Sequence, residues 1–372
     1  MTPASPADPL RIALLNPCYW PEVRRGSERV IHDMAAGLAA HGHQAQIITS
    51  HPGIPNRTVE DGVEVVRNWR PPDLPLRLRK IGDNLTHVPF SLRTLLADDA
   101  DLAHAFYASD ALASVAWARR TGRPSVMSWM GLMAAGWQSS RALRLETITR
   151  AVYGSDALVV LSRTARDSVW RWMGVEGRII HPGVNIAHFT PGGVRAEHPT
   201  IVCAAAPEEP AKRVALLVRA FAHVRRSRSD ARLVLMRPRD PALARELGDH
   251  DGVELSDARS DEVVDLYRQA WVSALPSVNE AFGLVIAEAL ACGTPGVAST
   301  GFGPEEILDS DGIGRLFCGE DEHALARALL EALDLSQDPG CAAACVRRAA
   351  AFGADAATSA HEELYRELLG RP

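Results

Sequence analysis

Lysine is almost absent from this 372-residue chain: of 40 basic residues, 38 are Arg and two are Lys, Lys80 and Lys212. With so much Ala, the bias points to a GC-rich genome and says nothing about fold, but it makes each retained Lys a place to look. Long hydrophobic runs are missing too. None approaches the roughly 18–20 residues that span a bilayer, so no membrane-spanning helix is expected. Met1 to Pro9 lacks a basic stretch followed by an apolar one, which predicts no secretory signal and a cytoplasmic chain. The net charge of −6 argues against a general nucleic-acid coat. Six cysteines (Cys18, Cys203, Cys292, Cys318, Cys341, Cys345) contain no C-x-x-C and no Cys/His spacing of zinc type, and read as buried small apolar side chains. Several catalytic signatures are also missing: G-x-x-x-x-G-K-S/T, H-E-x-x-H, G-x-S-x-G, and G-x-G-x-x-G after the first strand. P-loop hydrolysis, metalloprotease, serine-hydrolase and hydride-transfer chemistry all lose support.

What the chain has is alternation. Short apolar runs at 11–15, 46–49, 63–66, 102–105, 125–127, 157–161 and 178–180 are mostly separated by helical stretches, beginning with Ser27 to Ala40. After His181-Pro182-Gly183-Val184-Asn185 the pattern restarts, with strands at 200–204, 232–236, 253–255, 271–274, 296–298 and 314–317. Helices are expected at 214–225, 261–270 and 283–291. This predicts an α/β protein of two doubly wound, Rossmann-like domains, 1–185 and 186–354. The final helix, near His361 to Leu369, can belong to either domain; one expectation is that 355–372 packs back on the first. Ligands of such sheets sit beyond the carboxyl ends of the strands, so a cleft between the domains is the default site.

The informative stretch is Pro276-Ser-Val-Asn-Glu280-Ala-Phe-Gly283-Leu-Val-Ile-Ala-Glu288-Ala-Leu-Ala-Cys-Gly293. A strand ends, a loop carries Glu280, and Gly283 opens a helix holding Glu288. Amides of Phe282, Gly283 and Leu284 at that helix start, with the helix dipole, suit an anion. Eight helical residues rise about 12 Å, so the two carboxylates can grip separate hydroxyl clusters of an extended ligand with a diphosphate between them. A nucleoside diphosphate sugar has that form. The bland alternative, two solvated glutamates, stays open.

These residues resemble the signature of retaining glycosyltransferase family 4, whose members have the GT-B fold of two Rossmann-like domains facing each other across a cleft. Gly42-His43, Asp101-Leu-Ala-His104-Ala, His181-Pro-Gly-Val-Asn-Ile186 with Phe189-Thr-Pro191, Val264-Asp-Leu-Tyr267, and Gly303-Pro-Glu-Glu-Ile307 match further family segments in order. The resemblance implies a metal-independent enzyme without a cofactor, moving a sugar from a nucleoside diphosphate sugar to an acceptor hydroxyl. The acceptor would be a glycan, a lipid-linked molecule or a small molecule. It implies donor-sugar binding by Glu280, ribose binding by Glu288, and diphosphate binding by Lys212 and the Phe282–Leu284 amides. His104, at a strand end, is a candidate catalytic residue in the cleft. His104 as a satisfied buried imidazole remains the alternative.

Departures accompany the matches. The clamp arginine expected before Lys212 is Ala206 or Pro207, and Arg237 or Arg239 is the candidate replacement. The glycine pair of the first domain reads Arg25-Gly26; both are candidate donor-binding residues, with Arg25 either reaching the diphosphate or shutting the loop against it. The second His of "DvvHaH" is Phe106, and the His of the "vHg" turn is Met130. They motivate an alternative: a catalytically degenerate GT-B protein that binds a sugar nucleotide or a partner transferase without turnover. Arg67 to Lys80, basic with Trp and Leu interleaved, fits peripheral contact with an inner membrane face or a phosphorylated acceptor, or simply an exposed Pro-rich loop.

Overall fold

The computed structural model describes residues 8–23, 26–78, 84–134, 136, 140, 143–258 and 262–371. The chain forms two units: Met1–Gly183 with Ala354–Pro372, and Val184–Gly353. The division thus falls two residues before the expected 185, and the chain re-enters the first unit at Ala354.

The first unit is built on β1 (Arg11–Leu15), β2 (Gln44–His51), β3 (Asn56–Glu60), β4 (Val63–Trp69), β5 (Leu102–Ala105), β6 (Ser125–Trp129), β7 (Ala157–Val160) and β8 (Arg178–Ile179). Their order is β3-β4-β2-β1-β5-β6-β7-β8. All neighbours pair parallel except β3 with β4. Side chains alternate across a strand, so β1 feeds two cores: Ile12 and Leu14 pack with Ile31, Leu38 and Tyr365, whereas Ala13 and Leu15 pack with Trp117, Ile148 and Val169. Both faces are therefore covered, as parallel sheets require. The last helix, Ala354–Leu368, begins earlier than the sequence suggests and covers the first of these faces with Leu364 and Tyr365.

Strand β3 escapes the hydrophobic pattern because its residues are almost all exposed at the sheet edge. Its signal is the turn Asp61-Gly62, both residues at positive φ (49° and 81°), the hairpin-type dipeptide that reverses the chain into β4.

The second unit contains β9 (Thr200–Cys203), β10 (Arg232–Met236), β11 (Val253–Ser256), β12 (Val272–Leu275), β13 (Gly296–Ser299) and β14 (Gly314–Phe317). All are parallel, in the order β11-β10-β9-β12-β13-β14. The topological switch point of this order lies between β9 and β12, where strand progression reverses and the chain leaving each strand diverges to opposite sides. Five of the six cysteines are buried and all six are free thiols; Cys318 alone is exposed. Among the described residues, no helix is long and apolar enough to cross a membrane.

Candidate functional site

The chain leaving β9 and the chain leaving β12 meet at the switch point of the second unit. After β9, a short turn of 3-10 helix, Pro210–Lys212, presents Lys212, and helix Val214–Ser227 follows. After β12, the loop carries Asn279 in the left-handed region (φ 57°), a conformation Asn tolerates better than most residues, and then Glu280. The amide of Val278 donates to the carbonyl of Ala211 (2.8 Å), which joins the two loops. Lys212 Nζ donates to Glu280 Oε2 at 2.7 Å. Two residues singled out separately, 68 positions apart, are thereby one ion pair, both side chains mostly covered. Burial disfavours the Lys212 ammonium, but the Glu280 carboxylate and its hydrogen bond outweigh that, and Lys212 titrates above its usual range. An ammonium has three donors. Glu280 uses one; the others can serve an anion.

Beside Glu280, helix Leu284–Ala291 starts from Gly283 at φ 100°, with no side-chain cap. Its first amides have no acceptor within the helix. A Cβ on Gly283 would lie 2.7 Å from Pro304 Cγ, and one on Gly303 2.3 Å from the Ala281 carbonyl oxygen. The Gly303 amide donates to the Glu280 carbonyl (2.9 Å). Two glycines thus let the loop after β13 lie directly on the Glu280 loop. Phe282 is buried, edge-on to Phe352 at 5.3 Å between centroids, and fixes the loop from below. Glu288 is not solvated: it is buried, and Tyr267 donates its hydroxyl to Glu288 Oε2 at 3.2 Å. The bland reading of Glu288 as a surface helix residue is therefore wrong.

Arg213 is a residue that the sequence pattern does not reveal. It sits in the left-handed region (φ 51°), which costs an arginine roughly 1–2 kcal/mol. Its guanidinium donates to the Pro276 carbonyl (2.7 Å), the Ser299 hydroxyl (2.9 Å) and the Gly319 carbonyl (3.1 Å). These partners follow or end β12, β13 and β14, so one side chain ties together the carboxyl ends of three strands next to Lys212.

The other expected residues divide. Arg237 follows β10 at the same edge of the sheet, but its guanidinium is held by Asp257 at 2.6 Å. It is half-exposed, and such surface pairs are weak. Gly26 opens helix Gly26–Ala40, where an added Cβ would meet nothing within 4 Å. Arg25 lies outside the described residues. His104 requires correction as a site residue. It is fully buried in the first unit, with Tyr365 Oη 2.6 Å from Nδ1 and Ser128 Oγ 2.8 Å from Nε2. Burial, helped by His361, holds its pKa well below the usual histidine range. It is the satisfied imidazole of the two alternatives, because the C-terminal helix closes over it.

The basic segment also reads differently in three dimensions. Arg67 belongs to β4 and is buried, bonded to Glu60, Thr58 and the Trp20 carbonyl. Arg70 pairs with Glu22. Their charges are used internally, while Trp69, Leu74 and Leu78 are exposed. Lys80 lies outside the described residues.

The expectation of no metal constellation, drawn from spacing, misses one group. His223, Glu322 and His323 offer ligand atoms all within 4.8 Å of one another. His223 stands 99 positions before Glu322, a separation that no local spacing rule detects.

Two mostly parallel α/β units of Rossmann type, one with an acid–ammonium pair and an open helix start at its switch point, define the GT-B class. Comparison with known proteins agrees. A family model described as Glycosyltransferase Family 4 matches residues 24–188, and one described as Glycosyl transferases group 1 matches 198–335. The chain belongs to the family 4 type of GT-B glycosyltransferases. It is 30% identical over 268 residues to a D-inositol 3-phosphate glycosyltransferase of Streptomyces bingchenggensis, covering 64% of this chain and 58% of that protein. A protein of the same name from Streptomyces avermitilis is 30% identical over 307 residues, 72% of this chain and 66% of that one. The chain thus spans less than two thirds of the length of these relatives. Sucrose-phosphate synthase from Thermosynechococcus elongatus superposes with a TM-score of 0.81 at 21% identity, over 97% of this chain and 99% of that one. Anabaena Alr3699/HepE, solved with UDP and glucose, superposes with a TM-score of 0.73 at 17% identity, over 95% and 99%. At such identities the likeness shows the fold.

Proposed function

We propose that this chain transfers a sugar from a nucleoside diphosphate sugar to an acceptor hydroxyl, with retention at the anomeric carbon. The observation that carries the reading is the Lys212–Glu280 pair, 2.7 Å long, beside the uncapped start of helix Leu284–Ala291. Lys212 and the amides of Phe282, Gly283 and Leu284 take the diphosphate, Glu280 the sugar hydroxyls and Glu288 the ribose. In the transfer the bond between the anomeric carbon and the β-phosphate oxygen breaks as the acceptor oxygen bonds to that carbon. The departing phosphate oxygen accepts the acceptor's proton. Charge grows on the diphosphate, and a fixed ammonium with oriented amides stabilises it without reorganising. No protein nucleophile or metal is needed in this scheme.

The relatives' name makes D-inositol 3-phosphate the first acceptor to try. Peripheral contact with a membrane through exposed Trp69, Leu74 and Leu78 belongs to the same reading for a lipid-linked acceptor. A screen of UDP-, GDP-, ADP- and dTDP-sugars against a panel of acceptors tests the proposal. Product formation is followed chromatographically and anomeric configuration by NMR. Tight nucleotide binding with no hydrolysis or transfer for any pair supports the non-catalytic binder instead. Glu280→Gln keeps the side-chain shape and is expected to abolish transfer while the circular dichroism spectrum is unchanged. Full turnover in that variant overturns the role given to Glu280.

A further inference from the structure

We propose that His223, Glu322 and His323 form a binding site for a divalent transition ion of the zinc class, which clamps helix Val214–Ser227 to helix Glu322–Leu335. The helices pack against each other. His223 lies near the end of the first, and Glu322 and His323 open the second, whose cap is Asp321. His223 Nε2 is 3.2 Å from Glu322 Oε1. Zinc bonds to nitrogen and oxygen are about 2.0–2.2 Å, which gives a tetrahedral edge of about 3.3 Å. The two atoms therefore already stand at the separation that one ion between them demands. The His323 ring completes the group, its centroid 4.2 Å from that of His223.

The surroundings prepare the ligands. Arg219 Nε holds Glu322 Oε2 at 2.8 Å and leaves Oε1 facing His223. Such outer hydrogen bonds orient a carboxylate ligand. Arg226 lies 3.1 Å from His223 Nδ1. An arginine only donates, so Nδ1 accepts and the single ring hydrogen is on Nε2, aimed at Glu322. The ion takes the place of that hydrogen. The hydrogen passes to Nδ1, and the exposed Arg226 gives up its acceptor. Two imidazoles and one carboxylate select a borderline ion over magnesium or calcium, which prefer oxygen. Three protein ligands leave the fourth position to water.

The test uses full-length, tag-free protein stripped with EDTA, with Zn2+ and Co2+ as probes. One ion per chain, a visible Co2+ spectrum of tetrahedral type, and a rise in Tm with Zn2+ but not Mg2+ are expected. His323 is exposed, so His323→Ala should fold normally, weaken Zn2+ binding about tenfold or more and remove the Tm rise. Glu322→Gln should do the same. Absence of stoichiometric binding overturns the site. So does binding unchanged in both variants, which places the ion elsewhere, for example on cysteines, and so does an equal response to Mg2+.

Discussion

Lys212 shows what one retained residue type can do. Its ammonium is compact, carries three donors, and is held beside Glu280 rather than spread over a planar fork. Lys212→Met is expected to reduce turnover about 10²–10³-fold, as loss of one fixed donor to developing charge does. Lys212→Arg should recover part of it, so turnover of the two variants at saturating donor distinguishes charge from geometry. If Lys212→Met turns over like the parent, the diphosphate role of Lys212 fails. Gly303 makes a different point. A methyl there meets backbone at 2.3 Å, with no flexible side chain to give way. Gly303→Ala should destabilise the second unit by about 1–3 kcal/mol, read as a lower urea midpoint. An unchanged midpoint would mean that the loop after β13 shifts freely.

Among the elements, the C-terminal helix has the largest consequence for the first unit. It delivers His361 and Tyr365 to His104 across 261 positions of chain for the Tyr365–His104 contact. Burial lowers the His361 pKa to about 4 and holds His104 well below its usual range. The folded form therefore binds fewer protons than the unfolded chain below pH 6.5, and stability falls as pH drops from about 6.5 toward 4. Both groups act in the same direction in that window. His41 opposes them: its hydrogen bond to Asp355 outweighs desolvation and raises its pKa, so its contribution is present at acid pH and lost as pH rises. The expected net is a lower urea midpoint at pH 5 than at pH 7, and a smaller drop in His361→Gln. A midpoint that does not fall between pH 7 and pH 5 would show that the two buried histidines do not dominate.

Across the whole molecule, the alternation of apolar runs with helical stretches, the restart after His181-Pro182, and the spacing from Glu280 in its loop to Glu288 on the helix that follows could all be read directly. Each is a local signal set by the period of its element, so the α/β class, the parallel sheets and the family followed from sequence. The edge strand β3 did not, because an exposed strand has no apolar face to write into the pattern; only Asp61-Gly62 marked it. Which histidine is covered, which arginine is spent, and which acid faces which base belong to the tertiary structure. His104 is buried by a helix from the far end of the chain, Arg213 reaches three strand ends, and His223 meets Glu322 and His323 only when two helices pack. The reason is physical. Periodicity fixes which face of an element is apolar, whereas the direction and protonation of a polar side chain depend on partners brought close only by folding, 68 residues away for Lys212 and Glu280.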